Sequence, residues 1–377
     1  MRGGYRVIDT DSHVTPAVEL LYEQGGPGFR GRWEDLKAHL RLHHELRPWA
    51  GDWERPWLEL AVAPYSYEGG HRGNGRADRR GGQPASVEVG VLHDNAPGRL
   101  RAMDEQGIDC QLILPGGVTA AGTGLDDDLS TGLLEAYNRY ALNYAEADPS
   151  RLKVALQVHG GVVDWSVAEI RRHAAAAPVA GVTVCIPAGL RVDDPALGDI
   201  WRAMEEADLP LVHHAFPHDT PYFPGYREVA GSPAVAAAVA AQWSAQAVLG
   251  GLVLGGVLDR HTSLRVLFGD TGAGWLGPWL HHLRGHAMRA GGASRDPVDH
   301  AAGGRVCVGI EPHEGEAVAK SLIGLIGDDA LVWQSHFPSS LSGLESSPDT
   351  PIGWTRVDRR LKEKILAGNA QRCLRLV

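Results

Sequence analysis

The amino-acid sequence predicts a (β/α)8 barrel, and three observations carry that expectation. Short apolar runs bounded by Gly, Pro or Asp alternate with longer helical patterns, the rhythm of parallel strands buried on both faces. The runs number eight, the count that closes such a barrel. The chain of 377 residues lies within the length range of the fold and leaves room for an insertion. A doubly wound open sheet would use the same alternation, but its glycine-rich strand-to-helix turn is missing; GDTGAG at 269–274 is a lone glycine cluster.

The predicted strands are Arg6 to His13, Cys110 to Pro115, Leu152 to Val158, Gly181 to Ile186, Leu209 to Phe216, Arg265 to Asp270, Arg305 to Ile310 and Ala330 to Phe337. Each is long enough for a strand and too short for a buried helix. Helical patterns fall at 129–146, 164–176, 196–207 and 315–326, where apolar residues return every three or four positions. Residues 22–98 break the rhythm: they hold Trp33, Trp49, Trp53 and Trp57, then a Gly- and Arg-rich loop at 66–90. This insertion leaves strand one at its C-terminal end, the face where barrel active sites form. It is expected either to cap that face or to be a surface excursion. Residues 1–377 are therefore expected to form a single barrel domain with an inserted segment after strand one.

Composition narrows the function. Lys and Arg total 36 against 46 Asp and Glu, a formal net charge of -10, which argues against a nucleic-acid partner. Cys110, Cys185, Cys307 and Cys373 are far apart, with no close pair of the kind that marks zinc or redox motifs, so a reducing compartment is expected. No apolar leader follows the first residues and no uninterrupted apolar run reaches membrane-spanning length, so a cytoplasmic protein without a membrane role is expected. The apolar region from Ala234 to Val257 is broken by Gln242, Trp243, Ser244 and Gln246, which suits a helix packed among others.

The chemistry concentrates at strand ends. Strand one finishes Asp9-Thr10-Asp11-Ser12-His13; alternation along a strand puts Asp9, Asp11 and His13 on one face, and that face is expected to be the inner one. Asp11 and His13 then meet at the barrel mouth, spaced to chelate one metal ion or to form a hydrogen-bonded pair. Two other strands finish on imidazoles, LPLVHHAF with His213 and His214 and LVWQSHFP with His336. Imidazoles and a carboxylate converging on one mouth supply the donors that zinc, or less specifically manganese or iron, prefers. Gln334 and His336 share a face opposite Trp333, Ser335 and Phe337, which turns His336 to the lumen, whereas periodicity does not choose between His213 and His214. Strand six ends at Asp270, placed either to exchange a proton with a substrate or, like Thr271, to cap the next helix. Further mouth candidates for substrate contact are His159, Arg191, His218, Tyr222, Glu311 and His313, the planar fork of Arg191 suiting a carboxylate. The stretch 217–228, PHDTPYFPGYRE, is a candidate pocket wall.

At these residues the chain resembles the amidohydrolase superfamily, in the branch of aminocarboxymuconate-semialdehyde decarboxylase and related aromatic-acid decarboxylases. The resemblance runs almost end to end, through VIDTDSHVTP, RLRAMDEQGIDCQLILP, AYNRY, IWRAMEEADLPLVHHAF and LRVLFGDTGAGWLGPWL. It implies metal roles for Asp11 and His13, selects His214 over His213 as the strand-five ligand, and places Asp270 where the branch has a His or Glu proton shuttle. It also implies a homodimer. At strand eight the branch pattern Ser-Asp-(Tyr/Phe)-Pro-His reads Ser335-His336-Phe337-Pro338-Ser339, so the metal-binding aspartate that also serves hydrolases as a base is replaced.

What His336 does decides the mechanism. As a ligand it completes an Asp11, His13, His214, His336 set for a divalent ion, zinc above all; as a non-ligand it leaves three protein donors at most, metal affinity falls, and chemistry without metal becomes the alternative. The leading expectation is a metal-dependent decarboxylase or hydrolase acting on a small carboxylated, unsaturated or aromatic molecule. The alternatives are a metal-free dehydratase, cyclase or isomerase using His336 and Asp270 as acid and base, and a barrel that only binds a ligand.

Overall fold

The computed structural model describes residues 1–14, 16, 18–37, 40–43, 57–60, 95–115, 125–187, 189–214, 233–290, 295–337 and 347–376. Eight parallel strands pair in chain order: β1 (Ile8–Val14), β2 (Cys110–Pro115), β3 (Leu152–His159), β4 (Val179–Cys185), β5 (Leu211–His214), β6 (Val266–Gly269), β7 (Val306–Ile310) and β8 (Leu331–Trp333). The last strand returns to the first through a parallel bridge between Ser12 and Phe337. His13 N–H donates to the Phe337 carbonyl at 2.6 Å and His336 N–H to the Asp11 carbonyl at 2.9 Å. The fold is a (β/α)8 barrel.

Apolar residues occupy two layers because strand side chains alternate. Ile8, Leu112, Ala155, Val212, Leu267 and Val332 fill the lumen, and Ala370, Cys373 and Leu374 of the C-terminal helix Asn369–Leu374 close its lower end. Val7, Ile113, Val154, Val266 and Val308 face outward onto helical residues such as Leu133, Tyr137, Trp201 and Leu249. Helix Asp127–Ala145 starts where the Asp126 carboxylate accepts the Leu129 N–H and buries Leu133, Leu134, Tyr137 and Ala141. Helix Gly198–Ala207 stops at Asp208, whose φ of 56° is left-handed. The apolar segment expected to be helical forms Pro233–Leu254, and among the described residues no helix is long and apolar enough to cross a membrane.

Two strand ends differ from the sequence expectation. β6 stops at Gly269, because Asp270 (φ 52°) takes a left-handed conformation that leaves the ladder, and β8 stops at Trp333, three residues before His336, which is also left-handed (φ 58°). After β1 come helices Val18–Gln24, Pro27–Gly31 and Trp33–Lys37, then an antiparallel pair, Leu40–His43 with Trp57–Leu60. Trp33 packs edge-on to Tyr22 and Phe29. The barrel rhythm resumes with helix Ala96–Gln106; Trp49, Trp53 and the 66–90 loop lie outside the described residues. All four cysteines are buried and none is in a disulfide, and burial pushes the Cys110 and Cys185 thiols up to about 12.

One buried imidazole away from the barrel mouth gives this fold a measurable pH dependence. His300, in helix Pro297–Ala302, accepts Arg305 Nη1–H at Nδ1 (3.2 Å), and burial, with Arg305 beside it, pushes its pKa down to about 4. Below about pH 6.5 the unfolded chain binds a proton there that the folded chain refuses. Stability therefore falls as pH drops from about 6.5 toward 4, by at most about 1.4 kcal/mol per pH unit. His300→Gln, which keeps an acceptor for Arg305, is expected to lose less stability than wild type between pH 7 and pH 5 in urea melts; equal losses would rule His300 out as a contributor.

Candidate metal centre

Asp11 is fully buried at the end of β1 and three imidazoles surround it. Oδ1 lies 3.1 Å from His13 Nε2, and Oδ2 lies 3.2 Å from His214 Nε2 and 2.9 Å from His336 Nδ1. Despite these distances neither carboxylate oxygen takes a well-formed hydrogen bond. One ligand atom from each of the four residues lies within 4.8 Å of the others, a grouping that could hold one metal ion. One carboxylate oxygen and three imidazole nitrogens form a chemically suitable shell for a divalent transition ion.

The local chain path explains the convergence and corrects one expectation. Pairing between β1 and β2 shifts register between Asp9 and Ser12, so the alternation is broken there. Asp11 turns to the lumen, whereas Asp9 sides with Val7 toward the helices instead of sharing the face of Asp11 and His13. Its carboxylate accepts Ser335 N–H (2.9 Å), the Ser335 hydroxyl and Gln111 Nε2 (2.9 Å). Burial, reinforced by the nearby Asp11 charge, raises its pKa to about 6 against these hydrogen bonds. On β5, His213 turns outward to Ser244 Oγ (3.1 Å) and the Phe268 ring, while His214 turns inward, edge-on to His13 with centroids 4.9 Å apart. Burial lowers His213 to about 3.

His336 has a second neighbourhood. Its Nε2 lies 3.0 and 2.9 Å from Glu311 Oε1 and Oε2, and its Nδ1 lies 3.8 Å from Asp270 Oδ1. Burial alone would lower His336 and His214, but Asp11, joined at His336 by Glu311, outweighs it and both imidazoles are raised. The reverse holds at Asp11, where burial is outweighed by His214, His336 and His13 and the carboxyl lies well below its usual range. Asp270 is raised by burial despite His214 and His336. It does not cap the following helix; Glu314 Oε1 and Oε2 accept Ala273 N–H, and Oε1 accepts Gly274 N–H.

The remaining sequence candidates are dispersed. His159 is buried at the end of β3, with its Nδ1 facing Gly161 N–H, and is not among the four converging residues. Arg191 is exposed, pairs with Asp193 at 3.1 Å and lines a surface groove with Trp201 and Arg260. His313 is exposed beyond β7. His218, Tyr222 and the rest of 217–228 lie outside the described residues.

Sequence reasoning gave no part to Arg99, Gln111 or Glu314. Gln111 is the one polar side chain in CQLILP, which was the available signal. Arg99, fully buried, reaches Tyr144 Oη (3.1 Å), Gln111 Oε1 (3.0 Å) and the His13 carbonyl, so it ties helix Ala96–Gln106 to the centre.

Barrel and donor set together fit an enzyme of the barrel hydrolase and lyase kind, with four donors that could hold a metal ion. The Amidohydrolase family profile matches residues 8–376, and the chain belongs to that family. No curated relative matches. An amidohydrolase from Mycobacterium avium subsp. paratuberculosis K-10 has a similar structure, with TM-score 0.73, 19% identity and 98% of each chain covered. So does a 5-carboxyvanillate decarboxylase from Novosphingobium aromaticivorans DSM 12444, solved with bound manganese and 3-methoxy-4-hydroxy-5-nitrobenzoic acid; TM-score 0.69, 16% identity, 100% of this chain and 98% of that one. A 2,6-dihydroxybenzoate decarboxylase from Rhizobium gives TM-score 0.62 at 15% identity over 99% of each chain.

Arg99→Lys tests the brace behind His13. A single ammonium cannot span three acceptors in the guanidinium plane, so buried groups lose partners. Denaturant melts are expected to show a loss of about 2–4 kcal/mol; a melt unchanged from wild type would rule out the brace.

Proposed function

We propose that this chain is a divalent-metal-dependent lyase that releases carbon dioxide from a small aromatic or unsaturated carboxylic acid. The observation that carries the proposal is the convergence of Asp11, His13, His214 and His336 on one point, with Asp270 beside them. The decarboxylases of similar fold act on aromatic carboxylates, and one of them holds manganese.

In this proposal Asp11, His13, His214 and His336 hold the ion. When bound, it would supply positive charge that polarises substrate oxygens and steadies negative charge passed into the ring. Asp270, its carboxyl raised by burial, keeps its proton more readily than an exposed aspartate and donates it to the substrate carbon. That proton takes the electron pair of the breaking carbon–carboxylate bond, and carbon dioxide departs. Such a reaction needs no base to activate water. Replacement of the family's strand-eight aspartate by His336 therefore weighs against hydrolysis and leaves decarboxylation possible. His159 at the end of β3, Arg191, His218, Tyr222 and His313 are the proposed substrate contacts. Zinc as the ion, a homodimer as the assembly and the cytoplasm as the compartment complete the proposal. They rest respectively on the nitrogen-rich donor set, the family resemblance and the dispersed cysteines.

One observation favours a second reading. Both ring nitrogens of His336 already face carboxylates, Asp11 on one side and Glu311 on the other. Without metal, a protonated His336 and Asp270 would form an acid/base pair for dehydration, cyclisation or isomerisation.

Two measurements separate these. Protein stripped with a chelator and offered a panel of hydroxybenzoic acids should release no carbon dioxide until a divalent ion is restored; full activity after stripping would overturn the metal-dependent proposal. Asp270→Asn should lower turnover about 10²- to 10⁴-fold while elemental analysis finds metal content unchanged. Wild-type turnover in that variant would remove Asp270 from the reaction.

A further inference from the structure

We propose that Glu311 is a positioning residue for the fourth donor. It accepts the Nε2–H of His336, leaves Nδ1 bare toward Asp11, and so makes the centre a one-oxygen, three-nitrogen set that selects later first-row ions such as zinc or cobalt over manganese. The inference rests on the proposed ligand role of His336.

The ring nitrogens of His336 face opposite carboxylates: Nδ1 is 2.9 Å from Asp11 Oδ2, and Nε2 is 2.9 and 3.0 Å from the two oxygens of Glu311. A neutral imidazole carries one proton, and the nitrogen that keeps it is set by the hydrogen bond it can donate. Nε2 is held between both Glu311 oxygens, so the proton belongs there and the Nδ1 lone pair is left for a cation. A carboxylate behind a metal-bound imidazole also raises its basicity as a ligand.

Glu311 is itself held in place. Gln334 Nε2 donates to its Oε1 at 2.5 Å, and its own N–H donates to Glu314 Oε2 at 2.8 Å. The Gln334 amide has its place because residue 309 is glycine: a Cβ there would come within 1.8 Å of Gln334 Oε1. The imidazole is fixed from the backbone as well. His336 has a φ of 58°, a region that residues with a Cβ avoid, and it is kept there by its N–H bond to the Asp11 carbonyl. A ring locked at its backbone and at its far nitrogen presents Nδ1 in one direction only.

Exchanging an oxygen donor for imidazole moves the preference of a site away from manganese, which favours oxygen, toward ions later in the series. A decarboxylase of similar fold was solved with bound manganese.

The test measures metal binding directly. Zinc and manganese affinities of the full chain are obtained by competition with a chromophoric chelator, and the visible spectrum is recorded after loading with cobalt. Wild type, His336→Ala, Glu311→Gln and Glu311→Ala are compared, with thermal melts of the metal-free proteins to establish folding. Wild type should bind zinc more tightly than manganese. Glu311→Ala should weaken zinc about 10- to 100-fold and shift the cobalt bands. Glu311→Gln, which keeps an acceptor without the charge, should lose less and serves if the alanine variant does not fold. Absence of divalent-ion binding by wild type, or wild-type zinc affinity in His336→Ala, would sink the ligand role and this inference together. Loss of zinc in His336→Ala with wild-type affinity in both Glu311 variants would overturn the positioning role alone. Tighter manganese than zinc in wild type would overturn the selectivity.

Discussion

The seam between β1 and the segment after β8 is the constraint on which the rest depends. The β8 ladder ends at Trp333, so the barrel is closed there by backbone bonds from His336 to Asp11 and from His13 to Phe337. Three of the four residues in those two bonds also supply donors to the candidate centre. On the outer side of the same seam Asp9 collects Ser335 and Gln111, and Gln111 passes the connection to Arg99. Closure of the sheet and orientation of the donors are therefore one structural event. A buried polar network of this kind contributes to a unique arrangement only when its members are satisfied.

Electrostatics at the mouth is a contest between burial and neighbours. Burial alone would protonate Asp11 and deprotonate His214 and His336, yet each is shifted the other way by the opposite charge beside it. Such a cluster is strained as a set of separate ions, because desolvation of buried charges is costly unless they are well paired. A divalent cation taking the place of imidazole protons relieves that strain, and its binding would be linked to proton release.

Most of the architecture was legible in the sequence because parallel strands buried on both faces write themselves as apolar runs, and each of the eight runs overlaps a barrel strand. Convergence of Asp11, His13 and His336 followed from their places at strand ends. What the sequence obscured was conformational. The register shift after Asp9 reverses a parity that simple alternation assigns, the left-handed backbone at Asp270 ends β6 early, and β8 ends at Trp333, before the left-handed His336. None of these leaves a mark in composition. Periodicity was likewise silent between His213 and His214, since both neighbours on a two-faced strand are buried; only the partners, Ser244 outside and Asp11 inside, distinguish them. The part of Glu314 in holding the Ala273–Gly274 turn was invisible because it joins two segments distant in sequence.

The plug at the lower end of the lumen has a bearing on how the molecule is made. Ala370, Cys373 and Leu374 follow all eight strands in the chain, and they cover the apolar interior that those strands enclose. During synthesis the strands can associate before the plug has left the ribosome, but their greasy interior stays open at one end until it arrives. Were the strands to close first, the barrel would be wound but not stoppered until this helix docks.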